Sequence, residues 1–308
     1  MLALWLYDHA GVMVRGSCAA VFGVAGAACL IAGLWRRWRA RALLAFAGLL
    51  GAVILAFAAL RPSNDRDWPP ETARLPWAEV DGNRVTIHDV RNFDYRTEDD
   101  FTPAWYDRTV DLDQLTGVDL VASYWMGPAI AHLFVSFEFG GTEHVAISIE
   151  ARRARGEPYS SLLGFFRRFE LVYVVADERD VIRLRTNVRR DPPEEVYVYR
   201  LRAAPGAGRQ LFLAYMDKIN ALRAHPEFYN SLTTNCANSI WMLSRVVQGH
   251  VPWSWKILAS GYAPQYLYEE GRLDAGVPFP QLERRSHVND RARAADGAAD
   301  FSALIRAR

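Results

Sequence analysis

The chain has 308 residues and a net charge of +1, from 36 Lys and Arg against 35 Asp and Glu. This even balance excludes the broad basic surface that nucleic-acid binding needs, so we expect no nucleic acid among the partners. The three cysteines are too few for a disulfide framework, and no zinc-ligand spacing or phosphate-binding loop occurs. We therefore expect neither a metal nor a cofactor.

Two apolar stretches lie near the start of the chain. Residues 16–35 and 42–60 each have about twenty residues, the length with which a helix spans a bilayer. Between them, residues 36–41 carry four arginines, which places this loop on the cytoplasmic side. Residues 1–61 are thus predicted to anchor a multi-pass protein in the inner (cytoplasmic) membrane, with everything after Arg61 outside the cytoplasm. The alternative is a helical hairpin buried in a soluble core.

The rest of the chain divides into three parts. Residues 62–82 form a polar, Pro-rich linker, which we expect to pack on the following domain because Trp68 and Trp77 are costly to leave in water. Residues 83–284 form the main domain, and residues 285–308 form a charged C-terminal tail with a short helix near its end. An amphipathic helix is predicted over residues 206–224.

Alternating apolar and polar residues predict the strands of an α+β fold. They lie at residues 83–90, 115–125, 131–139, 143–150, 170–176, 181–185 and 195–201. Gly140-Gly141 joins two of them in a tight hairpin, the strongest local signal for an antiparallel sheet.

Cys236 opens a helix that follows the capping residues Thr233-Thr234-Asn235. The first turn of a helix favours an anion, so this position lowers a thiol pKa, and its free N–H groups can hold an oxyanion. Asn235 either caps the helix or contributes to the oxyanion or substrate site. The plain alternative for Cys236 is a packed core cysteine.

A nucleophilic cysteine needs a base, and His144 is the candidate. It opens the strand at residues 143–150, on a face lined by small residues that leave room for a helix. The order of His on a strand and then Cys on a helix matches a circularly permuted papain-like fold. A lone histidine at a strand edge is otherwise commonly just solvated.

Acidic residues near His144 are candidates to orient its imidazole. If the strand at residues 170–176 runs antiparallel to the His144 strand, its end brings Asp177 or Glu178 beside His144. Arg179 is a candidate to bind a phosphate or carboxylate in a bidentate way, and a salt bridge at a strand end is its alternative role.

Four stretches together resemble the DUF4105 family, the extracytoplasmic domain of Lnb-type lipoprotein N-acyltransferases. They are residues 83–96, residues 136–139 with 143–152, residues 177–180 and residues 228–236. The resemblance implies a permuted papain-like (NlpC/P60-like) domain, with a central antiparallel sheet packed on the Cys-bearing helix. It implies that His144 and Cys236 take the catalytic positions. The two spans that precede the domain depart from the pattern we associate with the family.

We therefore expect a membrane-anchored, cysteine-dependent acyltransferase or hydrolase. Cys236 would attack an acyl ester of a lipid or lipoprotein and form a thioester, with lipoprotein N-acylation as one outcome. Membrane lipids and lipoprotein N-termini are the expected partners. Two alternatives stay open: an extracytoplasmic cysteine amidase or peptidase that acts on cell-wall peptides, and a non-catalytic envelope scaffold.

Overall fold

The N-terminal segment forms the expected pair of helices. The computed structural model describes residues 12–273 and 276–307, beginning with helices α1 (Val12–Gly33) and α2 (Arg39–Ala58). Of the helices in these residues, α2 is the one long and apolar enough to cross a membrane, whereas the apolar part of α1, Ala19–Gly33, is shorter. The second membrane span therefore stays a prediction.

The main domain is built on a sheet that contains eight of ten strands. The strands are β1 (Trp77–Asp81), β2 (Arg84–Arg91), β3 (Asp94–Tyr95), β4 (Phe101–Thr102), β5 (Trp105–Asp111), β6 (Leu115–Tyr124), β7 (Ala131–Phe139), β8 (Glu143–Arg152), β9 (Glu170–Ala176) and β10 (Glu195–Arg200). The further helices are α3 (Pro70–Ala73), α4 (Glu178–Arg183), α5 (Ala207–Ala224), α6 (Cys236–Ser244), α7 (Trp255–Leu258), α8 (Ala263–Glu269), α9 (Phe279–Ser286), α10 (Asn289–Ala294) and α11 (Phe301–Leu304).

The sheet order is β1-β2-β9-β8-β7-β6-β10, with β5 also paired to β2. All pairs are antiparallel except β2 with β9, which meet at Arg91 and Ala176. The hairpin predicted at Gly140-Gly141 joins β7 to β8, and both glycines have positive φ, which suits them to this tight turn. A mostly antiparallel α+β architecture is thus confirmed.

Apolar residues cover both faces of the sheet. On one face, alternate residues such as Leu133 and Ile147 pack with α5, α6 and α8 in the larger core. On the other face, Phe134 and Ala146 pack in a smaller core with residues of α4, α10 and α11. Because these strands are buried on both faces, some of them have nearly continuous apolar sequences.

One predicted strand is wrong. Residues 181–185 lie in α4 and in the π-helical turn Leu184–Val188. Five alternating residues are too few to separate a strand from a short buried helix, because Val181, Ile182 and Leu184 are also buried on the helix. The helix is held to the sheet through Asp180, whose carboxylate accepts hydrogen bonds from the Arg91 guanidinium and the Phe93 amide.

The linker packs on the domain, as its tryptophans predict. Trp68 is buried, and its indole N–H donates to the Asn64 carbonyl at 2.8 Å. Arg66 pairs with the buried Glu170 at 2.8 Å, and the Asn64 amide donates to the Leu222 carbonyl at the end of α5. Strand β1 also lies within the segment assigned to the linker.

The C-terminal segment also packs on the domain. Val288, Phe301 and Ile305 are buried in the smaller core, and the expected terminal helix forms as α11. The sequence analysis predicted a charged tail with a short helix, and these three widely spaced apolar residues hold that segment against the sheet.

The buried Arg91–Asp180 pair predicts a large stability effect. Asp180→Asn leaves the Arg91 guanidinium buried without a counter-charge, so we expect the free energy of unfolding to fall by about 3–5 kcal/mol. Urea unfolding in detergent micelles measures the change. The matched control is Asp100→Asn, because Asp100 pairs with Arg96 at the surface, where water screens the two charges and the loss of stability should be much smaller. Equal losses in the two variants would contradict this interpretation.

Candidate active site

Helix α6 begins at Cys236 because Asn235 caps it. The Asn235 side-chain oxygen accepts a hydrogen bond from the Asn238 amide at 2.8 Å, and its NH2 group donates to the Ser231 carbonyl at 2.9 Å. The side chain therefore serves as the cap of α6. The first turn is therefore held in a defined position against the sheet. A contribution of Asn235 to an oxyanion or substrate site stays a prediction.

The helix start lies where two strands of the sheet separate. The β7–β8 ladder ends at the pair Phe134↔Ser148. Beyond it, β7 stays paired with β6 as far as Ala131, and β8 stays paired with β9 as far as Arg152. The amide of Leu133 lies in the unpaired part of β7, close enough to the Cys236 sulfur to lower the pKa of the thiol.

Three backbone amides, those of Leu133, Ala237 and Cys236 itself, lie close enough to the Cys236 sulfur to lower the pKa of the thiol. Two come from the first turn of α6 and one from β7, so a rigid helix and a rigid strand position them. Such donors stabilise negative charge on sulfur, and the same kind of group stabilises the oxyanion of a tetrahedral intermediate.

The pKa of the Cys236 thiol is nevertheless raised, which corrects the lowered value expected from the helix terminus. Cys236 keeps part of its surface open, yet the surrounding protein removes water from the sulfur, and this burial raises the pKa. The three amides and the positive charge of Arg185 act in the opposite direction without overcoming burial. The resting residue is therefore a protonated thiol at neutral pH.

His132 lines the same cavity as Cys236 and belongs to a hydrogen-bonded chain. Its Nε2 lies 2.7 Å from the Ser148 hydroxyl, which in turn donates to the Glu150 carboxylate at 2.8 Å. The three residues share one face of the sheet because β7 and β8 pair in antiparallel register. No hydrogen bond joins Cys236 to His132 within the described part of the chain.

The hydrogen bonds from His132 through Ser148 to Glu150 determine which nitrogen of the His132 imidazole carries the proton. A nearby arginine holds Glu150 ionised, since Arg185, opposing the effect of burial, lowers the pKa of that carboxyl to about 2. An ionised carboxylate only accepts, so the single Ser148 proton goes to Glu150. Ser148 must then accept from Nε2–H of His132, which leaves Nδ1 with the free lone pair. A proton acceptor is therefore available on the second ring nitrogen.

The imidazole of His132 is neutral at physiological pH. Burial and the charge of Arg185 lower its pKa to about 4, against the opposing effect of Glu150. Arg185 is buried and pairs with Glu150 at 3.3 Å and with Glu194 at 3.7 Å. Arg185 thus lowers the pKa of His132 together with burial, and it lowers the pKa of Cys236 against burial.

The cavity that contains these groups measures ≈ 440 Å³. Its wall is largely charged or aromatic and includes Arg91, Trp125, Tyr159, Arg189, Glu194 and Tyr229. A second cavity of ≈ 150 Å³ is lined mainly by apolar side chains, among them those of Leu133, Ala237, Ile240 and Trp241. Leu133 and Ala237 therefore contact the apolar cavity while their amides point to the Cys236 sulfur.

His144 lies elsewhere, which corrects the expected pairing with Cys236. It faces Glu138 across the β7–β8 ladder, six residues from His132 along β7, or roughly 20 Å at the rise of a strand. Its Nδ1 lies 3.2 Å from the Thr142 carbonyl oxygen, and its Nε2 lies 3.8 Å from Glu138. His144 lies on β8 as predicted, and it shares the sheet face of His132. It is nevertheless near the opposite end of the β7–β8 ladder from His132.

The candidate orienting acids also lie away from Cys236. Glu178 is close enough to His144 to influence the pKa of the imidazole, as the antiparallel β8–β9 pairing predicts. The Glu178 carboxylate is bound by Arg306 at 2.6 Å. Asp177 accepts from the Tyr106 hydroxyl at 2.7 Å and pairs with Arg108. Arg179 is half-buried in α4 and does not line the Cys236 cavity.

One group of side chains has the spacing of a cation site. Ligand atoms of Asp119, Glu138 and His144 all lie within 4.8 Å of one another. Both carboxylates are already paired, because Arg200 contacts Asp119 at 2.6 Å and also binds Glu138, and Arg306 contacts Asp119 at 2.7 Å. A cation would compete with two arginines here, so we interpret the group as an ion-pair network.

The role of His132 had a signal in the sequence. Counting outward from the Gly140-Gly141 turn places His132 opposite Glu150, the pairing that the structure shows through Ser148. The sequence does not predict that β7 and β8 separate beyond Phe134 and Ser148. This separation leaves space for the start of α6 beside His132.

The raised thiol pKa predicts slow alkylation of Cys236 at neutral pH. The rate with iodoacetamide should still be rising above pH 8.5, about where an ordinary cysteine is half ionised, because burial disfavours the thiolate. Mass spectrometry of the labelled peptide measures the rate, with Cys236→Ala as the blank. A half-maximal rate near pH 7 would contradict the assigned balance between burial and the amide donors.

Residues 101–261, which are 161 of the 308 residues, match the family model described as the Lnb N-terminal periplasmic domain. The matched range includes β6 to β10, His132, Glu150 and Cys236. No curated protein and no solved structure matches the chain. The match supports a membrane-associated envelope protein with an extracytoplasmic domain.

Proposed function

Because this chain belongs to the Lnb N-terminal periplasmic domain family, we propose that it is a membrane-anchored thiol acyltransferase with a permuted papain-like site. Cys236 is the nucleophile and His132 the general base, and the acyl donor is an ester of a membrane lipid or lipoprotein. One observation carries the proposal: Cys236, at the capped start of α6, lines the same cavity as His132, beside backbone amides that favour its thiolate form. The geometry favours His132 over the earlier candidate His144.

In the first step, both partners start uncharged. The Cys236 sulfur attacks the ester carbonyl carbon while its proton passes to Nδ1 of His132. The carbonyl oxygen becomes an oxyanion, which backbone amides at the start of α6 stabilise. When the intermediate collapses, the carbon–oxygen bond of the ester breaks and the alcohol leaves with the proton from the imidazolium. A thioester on Cys236 remains.

In the second step, an amine attacks the thioester carbonyl carbon. His132 takes a proton from the attacking nitrogen and returns it to the sulfur as the carbon–sulfur bond breaks. The products are an amide and the regenerated thiol. If water attacks instead, the same sequence gives a free acid, so acyl transfer depends on keeping water out of the cavity.

Charged residues around the cavity affect the stability of the thiolate and of the imidazolium in both steps. Glu150, reached through Ser148, stabilises the imidazolium that forms on His132, whereas Arg185 stabilises the thiolate and opposes the imidazolium. Neither charged state exists at rest, which fits a pair that ionises only during attack. Removal of Arg185 would leave Glu150 and Glu194 buried without their common counter-charge.

The apolar cavity beside Cys236 supports an acyl chain as the transferred group. Its volume of ≈ 150 Å³ is lined by Leu133 and Ala237, whose amides bind the sulfur. An acyl group attached to Cys236 would place its first carbons near these side chains, where burial of each CH2 group contributes roughly 0.8 kcal/mol. The charged cavity on the other side would then receive the headgroup or the amine.

A first test compares variants of the two histidines. His132→Gln should lower acyl transfer roughly 10²–10⁴-fold because the proton acceptor is lost, and Cys236→Ala should abolish transfer. His144→Gln and Cys29→Ala should keep transfer near the level of the unmodified protein. Mass spectrometry of lipoprotein N-termini from cells carrying each variant measures the reaction. Full activity in Cys236→Ala, at normal expression, would refute the proposed mechanism.

A second test concerns the pH profile. The acid limb of kcat/KM should lie near pH 4, because His132 must be neutral to act and its pKa is about 4. Glu150→Gln removes a charge that raises this pKa, so the limb should move to lower pH. The rate near neutral pH should also fall, by at most about tenfold for each unit of pKa lost, because a weaker base accepts the proton less readily. An unchanged profile would show that Glu150 does not act on the catalytic imidazole.

A second candidate function is a cysteine amidase or peptidase that acts on cell-wall peptides. The charged wall of the larger cavity, with Arg91, Arg189 and Glu194, favours a polar substrate over a lipid. Deletion of the coding sequence separates the candidates: altered lipoprotein N-termini support the acyltransferase, and altered cell-wall fragments with unchanged lipoproteins support the amidase.

A further inference from the structure

Large apolar side chains are exposed beside the Cys236 cavity. Leu162 is 51% exposed, Phe165 43%, Leu232 47% and Tyr159 46%. We call these four residues the apolar rim. Side chains of this size are seldom left grouped in water without a binding partner.

Two loops carry the rim, and contacts hold them together. The Ser231 hydroxyl donates to the Ser161 carbonyl at 2.6 Å, and the Ser231 amide donates to the Gly164 carbonyl at 3.3 Å. A side chain at Gly164 would meet the Ser231 hydroxyl at 2.2 Å, so the glycine permits this close approach. Leu232 and Phe165, each next to one of these contact residues, are therefore presented together.

The rim is continuous with the candidate active site. Tyr159 lines the cavity that contains Cys236 and forms a hydrogen bond with Tyr229. The loop that carries Leu232 runs directly into α6, and the Leu232 carbonyl accepts a hydrogen bond from the Asn238 side chain. Whatever contacts the rim is thus brought close to the nucleophile.

The rim is also tied to the end of α2. The Arg167 guanidinium donates to the carbonyls of Phe57 and Ala58 at 3.1 and 3.4 Å, and it lies 5.0 Å from the Phe57 ring centroid. These are the last residues of the helix that is apolar and long enough to cross a membrane. Arg167 follows the rim residue Phe165 closely in the chain, so the rim lies at the level where α2 leaves the bilayer.

The chain after α2 fixes this orientation. The Ser63 amide and the Arg66 guanidinium both bind the buried Glu170, at the start of β9. The Asn64 side chain binds the carbonyls of Leu222 and Arg223 at the end of α5. The domain is therefore held against α2 by specific contacts rather than by a free tether.

We propose that the apolar rim inserts into the outer leaflet of the membrane that α2 crosses, so that the Cys236 cavity opens at the level of the lipid ester groups. Aromatic and aliphatic side chains flanked by arginine are the usual composition of an interfacial membrane contact. Arg167 and the exposed Arg61 would meet the headgroup phosphates. The proposal does not depend on the chemistry of Cys236.

A fluorescent label tests the depth of the rim. The environment-sensitive dye NBD is attached to Phe165→Cys in the full chain, with Cys18, Cys29 and Cys236 replaced by alanine. The protein is placed in nanodiscs of phosphatidylcholine and phosphatidylglycerol that contain phosphatidylcholine with a spin label on the acyl chain. Leu162→Cys gives a second position within the rim, in case the first label disturbs its loop.

The control is Leu304→Cys, at a side chain that is 37% exposed at the end of α11. Arg306, two residues further on, binds Glu178 just after the last residue of β9, whereas the linker after α2 binds Glu170 at the first residue of β9. The two ends of β9 are separated by roughly 20 Å at the rise of a strand. Leu304 should therefore stay in water.

We expect a blue-shifted emission at Phe165 and Leu162, and quenching by the spin-labelled lipid at least about twofold stronger than at Leu304, since an interfacial side chain lies about 5–10 Å deep. Iodide should quench the Leu304 label and spare the rim labels. Equal lipid quenching at rim and control, or none at either, would overturn the proposal. A single symmetric size-exclusion peak for each labelled protein confirms that the variants are folded.

Discussion

The separation of β7 from β8 is the constraint on which the candidate site depends. If the two strands stayed paired to their ends, the Leu133 amide would bind β8 and the first turn of α6 would have no place in the sheet. Because the ladder stops at Phe134↔Ser148, that amide reaches the Cys236 sulfur. Sulfur, amide donors and the His132 chain thus meet at one opening, each held by a separate element of regular structure.

Burial and charge have opposite effects at this opening. Burial raises the thiol pKa of Cys236 and lowers the imidazole pKa of His132, so both groups are neutral at rest. Arg185 favours the thiolate form of Cys236, whereas Glu150 favours the imidazolium form of His132. A buried thiol with a raised pKa reacts slowly with oxidants and alkylating reagents, because the thiolate is the reactive form. The same features explain why helix position alone was a poor guide to thiol pKa.

The position of the site relative to the membrane follows from contacts far from the chemistry. Arg167 binds the last carbonyls of α2, and Glu170 receives the linker through Ser63 and Arg66. The loop that carries Arg167 and the start of β9 are therefore held beside the end of α2. For the proposed acyltransferase, this arrangement would lower the energetic cost of bringing an apolar chain from the bilayer to the domain.

The sequence by itself determined the elements that local pattern controls: the apolar α2, the Gly140-Gly141 hairpin, the amphipathic α5, and a capped helix that begins at Cys236. Backbone geometry and burial periodicity decide these within a few residues. The tertiary structure decided that His132, not His144, lies with Cys236, that Val181 belongs to a helix, and that the C-terminal segment is packed. The reason is that strand separation, long-range salt bridges and burial involve residues far apart in the chain, and no local pattern encodes their meeting.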